Sequence, residues 1–408
     1  MKYKWVLAII AGLFIIQFFS YYQGYYQPPS TESYRIEEIE APMVQPEAFT
    51  DKYELGNGTV VFYHVNSSYT IQEITPLITR LTSRGFYSEF LDDRNLLAEK
   101  LKYTDSLVII LPGTPFDSEE AEEIQKFLDK GGRLLLISDP QRPSSINSLS
   151  TYFGIIFEEG YLYNMKVNDG NFRNIYLEEF ADTNVTHGLK KVVFYSSCPI
   201  DSQNGVIFGD ENTFSSRSEV RKQYSPAALV GNILALCDLT FMLEPYDNIE
   251  DNPQLISNIA DFLTHAKRSF LLEDFPYFFR DEVDIYYTES KLFKYAFEIK
   301  EILGKKSRII SKETNKDMVI LGLYDSFVEV SKYLEEENIT ITSQEISIGE
   351  AGKIKRKDTS LIYLNQDDRR NVLVILADSE EKMENTLRAL KNGTIQKYLL
   401  NRKTAILL

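Results

Sequence analysis

Residues Lys102 to Pro140 constrain the fold more than any other stretch. They read KYTDSLVIILPGTPFDSEEAEEIQKFLDKGGRLLLISDP. Ser106 to Leu111 is a continuous apolar run rich in Val and Ile, the pattern of a strand covered on both faces, as parallel sheets require. Pro112 and Gly113 end it. Asp117 is positioned as an N-cap, with Glu120 three residues on to complete a capping box and Glu119, Glu122 and Glu123 near the positive helix end. Ala121, Ile124, Phe127 and Leu128 form one apolar stripe. Lys126 and Lys130 lie towards the negative end, Gly131 supplies the left-handed position beyond the helix, and Arg133 to Ile137 starts the next buried strand. This is a βαβ crossover, so a parallel sheet follows.

The flanking sequence extends the alternation. A strand is expected at Thr59 to Tyr63, and a helix follows that is capped by Thr75 with Pro76 at its first position. A strand at Tyr87 to Leu91 and a short helix at Arg94 to Leu101 lead into the crossover. The order β-α-β-α-β-α-β predicts an open, doubly wound, mostly parallel α/β sheet. After Pro140 the sequence predicts a helical piece at Ile146 to Phe153 and a long irregular region to about Gly188. Strands follow at Val192 to Tyr195, Val206 to Phe208 and Ile233 to Cys237, then a helix capped by Asn252 with Pro253 next. The remainder repeats the pattern more loosely, with strands at Met318 to Leu323 and Val372 to Ala377. Each precedes an amphipathic helix, Phe327 to Glu337 and Glu380 to Leu390, giving a smaller C-terminal α/β domain with no motif that carries chemistry.

The first segment is different in kind. Lys2 and Lys4 precede an almost unbroken apolar run from Trp5 to Phe19. Cleavage of a signal peptide needs small residues before the cut, and this run ends in Phe18, Phe19, Ser20, Tyr21 and Tyr22, so a retained transmembrane anchor is favoured. Residues 5–22 would then contact the lipid bilayer, with Tyr21, Tyr22, Tyr25 and Tyr26 at its interface. Positive charge on the short side places the N-terminus in the cytoplasm and the rest outside the cell membrane. Pro28, Pro29, Pro42 and Pro46 among Glu, Ser and Thr mark a tether. The expected division is anchor 1–22, tether 23–56, first domain 57–267 and C-terminal domain 268–408. Sequons at Asn57, Asn66, Asn184, Asn338 and Asn392 agree with an outside location.

Charge and cysteine content exclude several classes. A net charge of −16 over 408 residues argues against a nucleic-acid partner, whose binding rests on clustered Lys and Arg. Cys198 and Cys237 are the only cysteines, too few for a disulfide scaffold or a cysteine-rich metal site. They are expected either to be bonded, if their strands are neighbours, or to be two buried thiols.

Three stretches carry a family resemblance: LVIILPGTPFDSEEAEEIQKFLDKGGRLLLISDPQRPS, FGIIFEEGYLYN with the following NDGNFRNIYL, and LCDLTFMLEPYDNIEDNPQLISNIADFL. On these, residues 57–267 resemble the glutamine-amidotransferase-like superfamily, specifically its non-catalytic membrane-linked branch. That branch includes an uncharacterised archaeal and bacterial domain family and the auxiliary protein of gliding-motility-type ABC transporters. The resemblance implies a class I amidotransferase-like fold and a protein partner in a membrane complex. Enzymes of the superfamily carry a nucleophilic Cys within Gly-x-Cys-x-Gly after the strand matching Arg133 to Ile137. Here the residues are Ser138-Asp139-Pro140-Gln141, so neither the nucleophile nor the glycines that permit its strained turn are present.

What remains for chemistry is sparse. Of three histidines, His64 stands at the carboxyl end of the first strand, where open-sheet proteins bind ligands; His187 and His265 do not. A hydrolase would have to combine His64 with Ser138 or Asp139, or with Ser144 or Ser145. Asp139, Asp210, Asp238, Asp247 and Asp251 fall near strand ends or helix starts. Asp139, Asp238 and Asp247, with His64, are the candidates for contacting a ligand or partner. Capping and turn formation explain Asp251 and Asp139 better than metal binding does, so neither metal nor cofactor is expected. The aromatic stretch Tyr161 to Tyr176 offers a minor sugar-binding reading.

Overall fold

The computed structural model describes residues 3–23, 49–279, 282–304, 307–349, 352–366 and 370–408. Most of the expected tether, residues 24–48, lies outside the described residues. The chain divides into two units, residues up to Phe49 and Thr50–Leu408. In the first, helix α1 (Lys4–Tyr22) has 19 residues, a mean hydropathy of 1.9 and no buried side chain. Apolar side chains cover it all round, so it is long and apolar enough to cross a bilayer.

In the second unit, β1 (Gly58–Tyr63), β2 (Phe86–Leu91), β3 (Ser106–Ile110) and β4 (Arg133–Ile137) lie in the order β2-β1-β3-β4 and pair in parallel. Ile233–Leu236 adds a fifth parallel strand beside β4. Ala227–Val230, Gly205–Phe208 and Glu179–Phe180 complete eight strands through antiparallel pairings. Alternation along the strands sorts the core into two layers. Val60, Phe62, Val108, Ile110, Leu135 and Ile137 meet helix α2 (Thr75–Ser83) and the helix Asn252–Thr264. Val61, Leu107, Ile109, Leu134 and Leu136 meet α3 (Leu97–Leu101) and α4 (Ser118–Asp129) on the other face. The sheet is therefore doubly wound, as the run pattern predicted.

The crossover has the expected local chemistry. The amide of Glu120 donates to Asp117 Oδ1 and that of Asp117 to Glu120 Oε2, both at 3.0 Å, closing the capping box. Gly131 has φ +85°, and a Cβ there would sit 2.0 Å from the Lys267 carbonyl oxygen. Two constraints thus require glycine at one position.

Four expectations are corrected. Thr75 is the first residue of α2 rather than its cap, which is Ile74, and Pro76 is the second. The region after Phe153 is not irregular: Leu162–Asn164 pairs with Thr213–Ser215, Asn174–Leu177 with Val192–Tyr195, and Ile156–Phe157 with Ile200–Asp201. Such short strands leave little periodicity to read. Asn252 does not cap its helix. Its Oδ1 accepts from Val193 N at 3.0 Å and its amide donates to Val193 O and Tyr246 O, so it clamps a strand end. Finally, the helix expected at Phe327 to Glu337 is only Phe327–Val330, continued by a 3-10 turn Ser331–Tyr333.

The second sheet runs Ser307–Ile309, Val283–Tyr287, Asp317–Leu323, Asn371–Ala377, Ser360–Gln366, Thr404–Leu407. Its first four strands are parallel. Helices Phe293–Leu303 and Glu380–Lys391 share one core layer with it. A three-stranded sheet, Ile339–Ile341, Glu345–Ile348 and Gly352–Lys355, contributes to the layer on the opposite face.

One buried cation ties the start of the second unit to the helix Asn252–Thr264. The side chain of Arg84, just beyond α2, is 0% exposed. It donates from Nη1 to Asp51 Oδ2 at 3.0 Å, from Nε to Asp261 Oδ1 at 2.6 Å and from Nη2 to Ser257 Oγ at 2.8 Å. Replacing it strands two carboxylates in a partly buried site. Arg84→Ala is expected to lower stability by about 3–5 kcal/mol, with Arg84→Lys intermediate, in urea titrations followed by circular dichroism. A loss below about 1 kcal/mol for Arg84→Ala would remove this clamp from the account.

Candidate functional site

Because β1, β3, β4 and Ile233–Leu236 are parallel, the residues that follow them meet along one edge. The strand order reverses between β1 and β3, which is where open α/β sheets form a crevice. Here the chain fills it. The loop after β1 folds back so that Ser68 N donates to Leu111 O at 3.1 Å and Ser68 Oγ to Pro143 O at 3.1 Å. Asn66 takes a left-handed turn, φ +50°, and a side chain at Gly113 would meet its carbonyl oxygen at 2.1 Å. Arg142, after β4, donates to Ser68 O at 3.2 Å and pairs with Glu73, closing the loop over the edge.

His64 lies beside this plug. Its Nδ1 stands 2.9 Å from Asp92 Oδ1, and its ring meets Tyr69 and Phe90 edge-on at 5.2 and 6.0 Å. The side chain of Asp92 is 74% exposed, so the pair orients the imidazole at little energetic gain. Sequence reasoning passes over Asp92, although an Asp doublet closing a strand is a readable signal.

Ser138 is buried and continues the sheet: its amide donates to Leu236 O at 3.0 Å. Among the described residues, the non-glycine positions at positive φ are Asn66, Leu111, Ser196, Glu250, Asn338 and Asp358, so Ser138 does not sit on a strained nucleophile turn. No hydrogen bond joins it to a histidine among the described residues. Ser145 is taken up by the carbonyl of Pro112, through its amide at 2.7 Å, and Ser144 Oγ accepts from Ile146 N.

Asp139 and Asp238 do come together, at the ends of adjacent strands. Asp139 is 2% exposed and its Oδ1 accepts from Gln141 N at 2.8 Å. Asp238 is 0% exposed and accepts from Tyr195 N at 2.6 Å and Thr240 N at 2.7 Å. Burial pushes both carboxyls above the usual range, and the charge of Asp139 pushes Asp238 further. The adjoining Cys198 and Cys237 are joined as a disulfide, with Cα atoms 5.3 Å apart. Nearby in the chain, Tyr195 OH and Ser197 Oγ are buried with no hydrogen-bond partner among the described residues.

The other candidates lie elsewhere. Asp247 is buried beside Asn248, whose amide it accepts at 3.0 Å; burial raises its carboxyl and the charge of Arg80 opposes that shift. Asp251 accepts from the amides of Lys190 and Lys191, and Asp210 from Asn164 and Thr213. His187 and His265 line a cavity of about 760 Å³ at the opposite edge of the sheet, with Arg133 and Asn232. In the aromatic stretch, Tyr163 packs on Phe172 and Phe214, and Arg173 covers Tyr161 at 4.1 Å, so these rings largely serve one another. Among the described residues, no group of three or more His, Cys, Asp or Glu side chains could hold a metal ion.

No family model matches the chain, and no curated protein matches it. Solved structures with a similar fold include the mmIFT52 N-terminal domain, at 17% identity and TM-score 0.44, covering 52% of this chain and 99% of that one. A ThuA-like protein from Bacteroides uniformis aligns at 11% identity and TM-score 0.35, covering 54% of this chain and 96% of its own. A GMP synthase component from Thermoplasma acidophilum aligns at 14% and 0.30, covering 50% and 96%. These likenesses concern chain architecture over about half the sequence and carry no activity across.

Two measurements probe the edge. Asp139 and Asp238 have raised native values, so their contribution to stability is complete below the unfolded carboxyl range, about pH 4, and is lost as pH rises through the raised values. Asp238→Asn is therefore expected to have a flatter stability profile than the unmodified protein above pH 4, read as the difference in Tm between them at each pH. Parallel profiles would remove the pair. Reduction of the Cys198–Cys237 bond, which spans 39 residues, should lower stability by about 2–4 kcal/mol. Two thiols titrated in the unreduced, denatured protein would contradict the bond.

Proposed function

We propose that this chain is a single-pass, membrane-anchored extracytoplasmic protein whose amidotransferase-like domain, residues 57–267, binds a partner or ligand without turning it over. It would serve as an accessory of a transporter or surface assembly, as the membrane-linked branch of the superfamily suggests. The observation that carries this reading is the end of β4. Where a nucleophile would need a strained turn, Ser138 keeps ordinary backbone and stays in the sheet, and the adjoining crevice is plugged by the chain's own loop. Helix α1 supports the anchor, and the positive charge of Lys2 and Lys4 supports a cytoplasmic N-terminus. The alternative is a hydrolase on His64 with Ser138 or Asp139. The orientation of His64 by Asp92 favours it, while the hydrogen bonds of Ser138 and Asp139, directed elsewhere, weigh against it.

The test is crosslinking of the full-length chain in native membranes followed by detergent pull-down, alongside an ester, amide and phosphoester hydrolysis panel. A membrane protein that copurifies reproducibly, with no turnover, is expected. Turnover abolished by His64→Ala, with no partner, would replace the proposal by the hydrolase. In protease protection on intact cells, Thr50–Leu408 should be digested; protection would reverse the assigned orientation.

A further inference from the structure

The larger sheets differ in how their edges are finished among the described residues. The first sheet ends on one side in the two-residue strand Glu179–Phe180, and the second in the three-residue strand Ser307–Ile309. The other edge of the second sheet, Thr404–Leu407, is overlaid by the returning chain, with Leu400 N donating to Thr404 O at 2.8 Å. The three-stranded sheet ends in the three-residue strand Ile339–Ile341 and in Gly352–Lys355, which carries exposed lysines. Shortness, cover and lysine are the ordinary protections of an edge. The remaining edge, β2, has none of them. It is six residues long, FYSEFL, and pairs with β1 in unbroken register from Gly58 opposite Phe86 to Tyr63 opposite Leu91. Its one charge, Glu89, is neutralised by Lys100 and accepts from Tyr103 OH at 2.8 Å.

One hydrogen bond fixes which groups β2 offers. His64 N donates to Leu91 O at 2.9 Å, so the Leu91 carbonyl faces β1. Along a strand the N–H and C=O of successive residues point alternately to the two sides. Tyr87, Glu89 and Leu91 therefore serve β1, and Phe86, Ser88 and Phe90 present theirs to the open side. Among the described residues, no hydrogen bond takes up these outward groups. The side chain of Tyr87 beside them is 68% exposed.

We propose that β2 is a self-association edge, on which a second copy of this chain lays its own β2 antiparallel about a two-fold axis. Side chains directly opposite each other share a face of the sheet, so the axis passes through a residue rather than between two. With Ser88 at the axis, Phe86 of each copy exchanges backbone bonds with Phe90 of the other, and Ser88 with Ser88. All three outward residues are then used. Tyr87 stands opposite Glu89, and phenylalanine meets phenylalanine, with no like charges opposed. With Tyr87 or Glu89 at the axis one of the three outward residues is left over, and the Glu89 axis also sets two carboxylates face to face. The strand is thus complementary to itself in one register, a property that a strand fitted to a foreign segment does not need. That selects a second copy as the occupant. The inference goes beyond the accessory role and does not rest on it.

The experiment measures the sedimentation mass of the detergent-solubilised full chain across a concentration series. A monomer–dimer equilibrium is expected. Ser88→Pro removes an outward N–H that β1 does not use, so it keeps the sheet and should weaken the dimer by about tenfold or more. Tyr87→Glu, at an exposed position, sets a second carboxylate opposite Glu89 and should weaken the dimer by about threefold or more. Tyr152→Glu, at a tyrosine 53% exposed and outside the edge, should leave the dimer within about twofold. Thermal unfolding of each variant verifies that it is folded. Register is read by mixing two chains that each carry one added cysteine, Tyr87→Cys and Glu89→Cys, under mild oxidation; Cys198 and Cys237 are bonded to each other and leave the added thiols as the reactive ones. The mixed disulfide should exceed either self-pairing. A monomer at every concentration, a dimer that the folded edge variants leave unchanged, or self-pairing that matches the mixed product would overturn the proposal. So would a different membrane protein crosslinked to the Tyr87→Cys chain in native membranes in place of the second copy.

Discussion

A parallel sheet cannot leave a face to water, and that constraint organises this protein. The strands β1, β3 and β4 are buried on both sides, so each must be followed by a connection that crosses a face and returns. The helices α2 and Asn252–Thr264 cover one face, and α3 and α4 the other. Once those layers exist, all five parallel strands deliver their following residues to the same edge. The chemistry of this region is therefore decided by what comes after each strand.

At that edge the chain uses its polar groups on itself. Ser68, Asn66 and Arg142 tie the first loop to the residues after β3 and β4, and Glu73 completes the tie. At the start of a helix, where a cap would be expected, Asp251 instead holds the amides of Lys190 and Lys191 and Asn252 holds Val193 in the strand that follows them. A binding surface on this domain would accordingly be an outer face or loop, since the crevice between β1 and β3 is occupied from within.

How much of this is legible in the sequence follows from the range of each interaction. The βαβ crossover is readable to the residue, because its capping box and Gly131 act over three or four positions. The doubly wound order follows from run length and spacing. By contrast, the β-structure between Phe153 and Tyr195 is built from strands of two to four residues whose partners lie up to about fifty residues away, which no local period records. The Arg84 clamp and the Arg142–Glu73 pair join positions 33 to 177 and 69 residues apart, so neither leaves a local mark. The candidate residues behave the same way: Asp139 and Asp238 stand far apart in the sequence, and only the pairing of their strands brings them together.

That pairing also sets how two acids are accommodated at the strand ends. Asp238 accepts two backbone amides from segments that cross the strand ends, so its carboxyl organises the chain around it while burial disfavours the charged form. Asp139 does the same for the turn into Gln141. Both carboxyls hold backbone amides in place. The edge where these strands end is thereby spent on fixing its own loops.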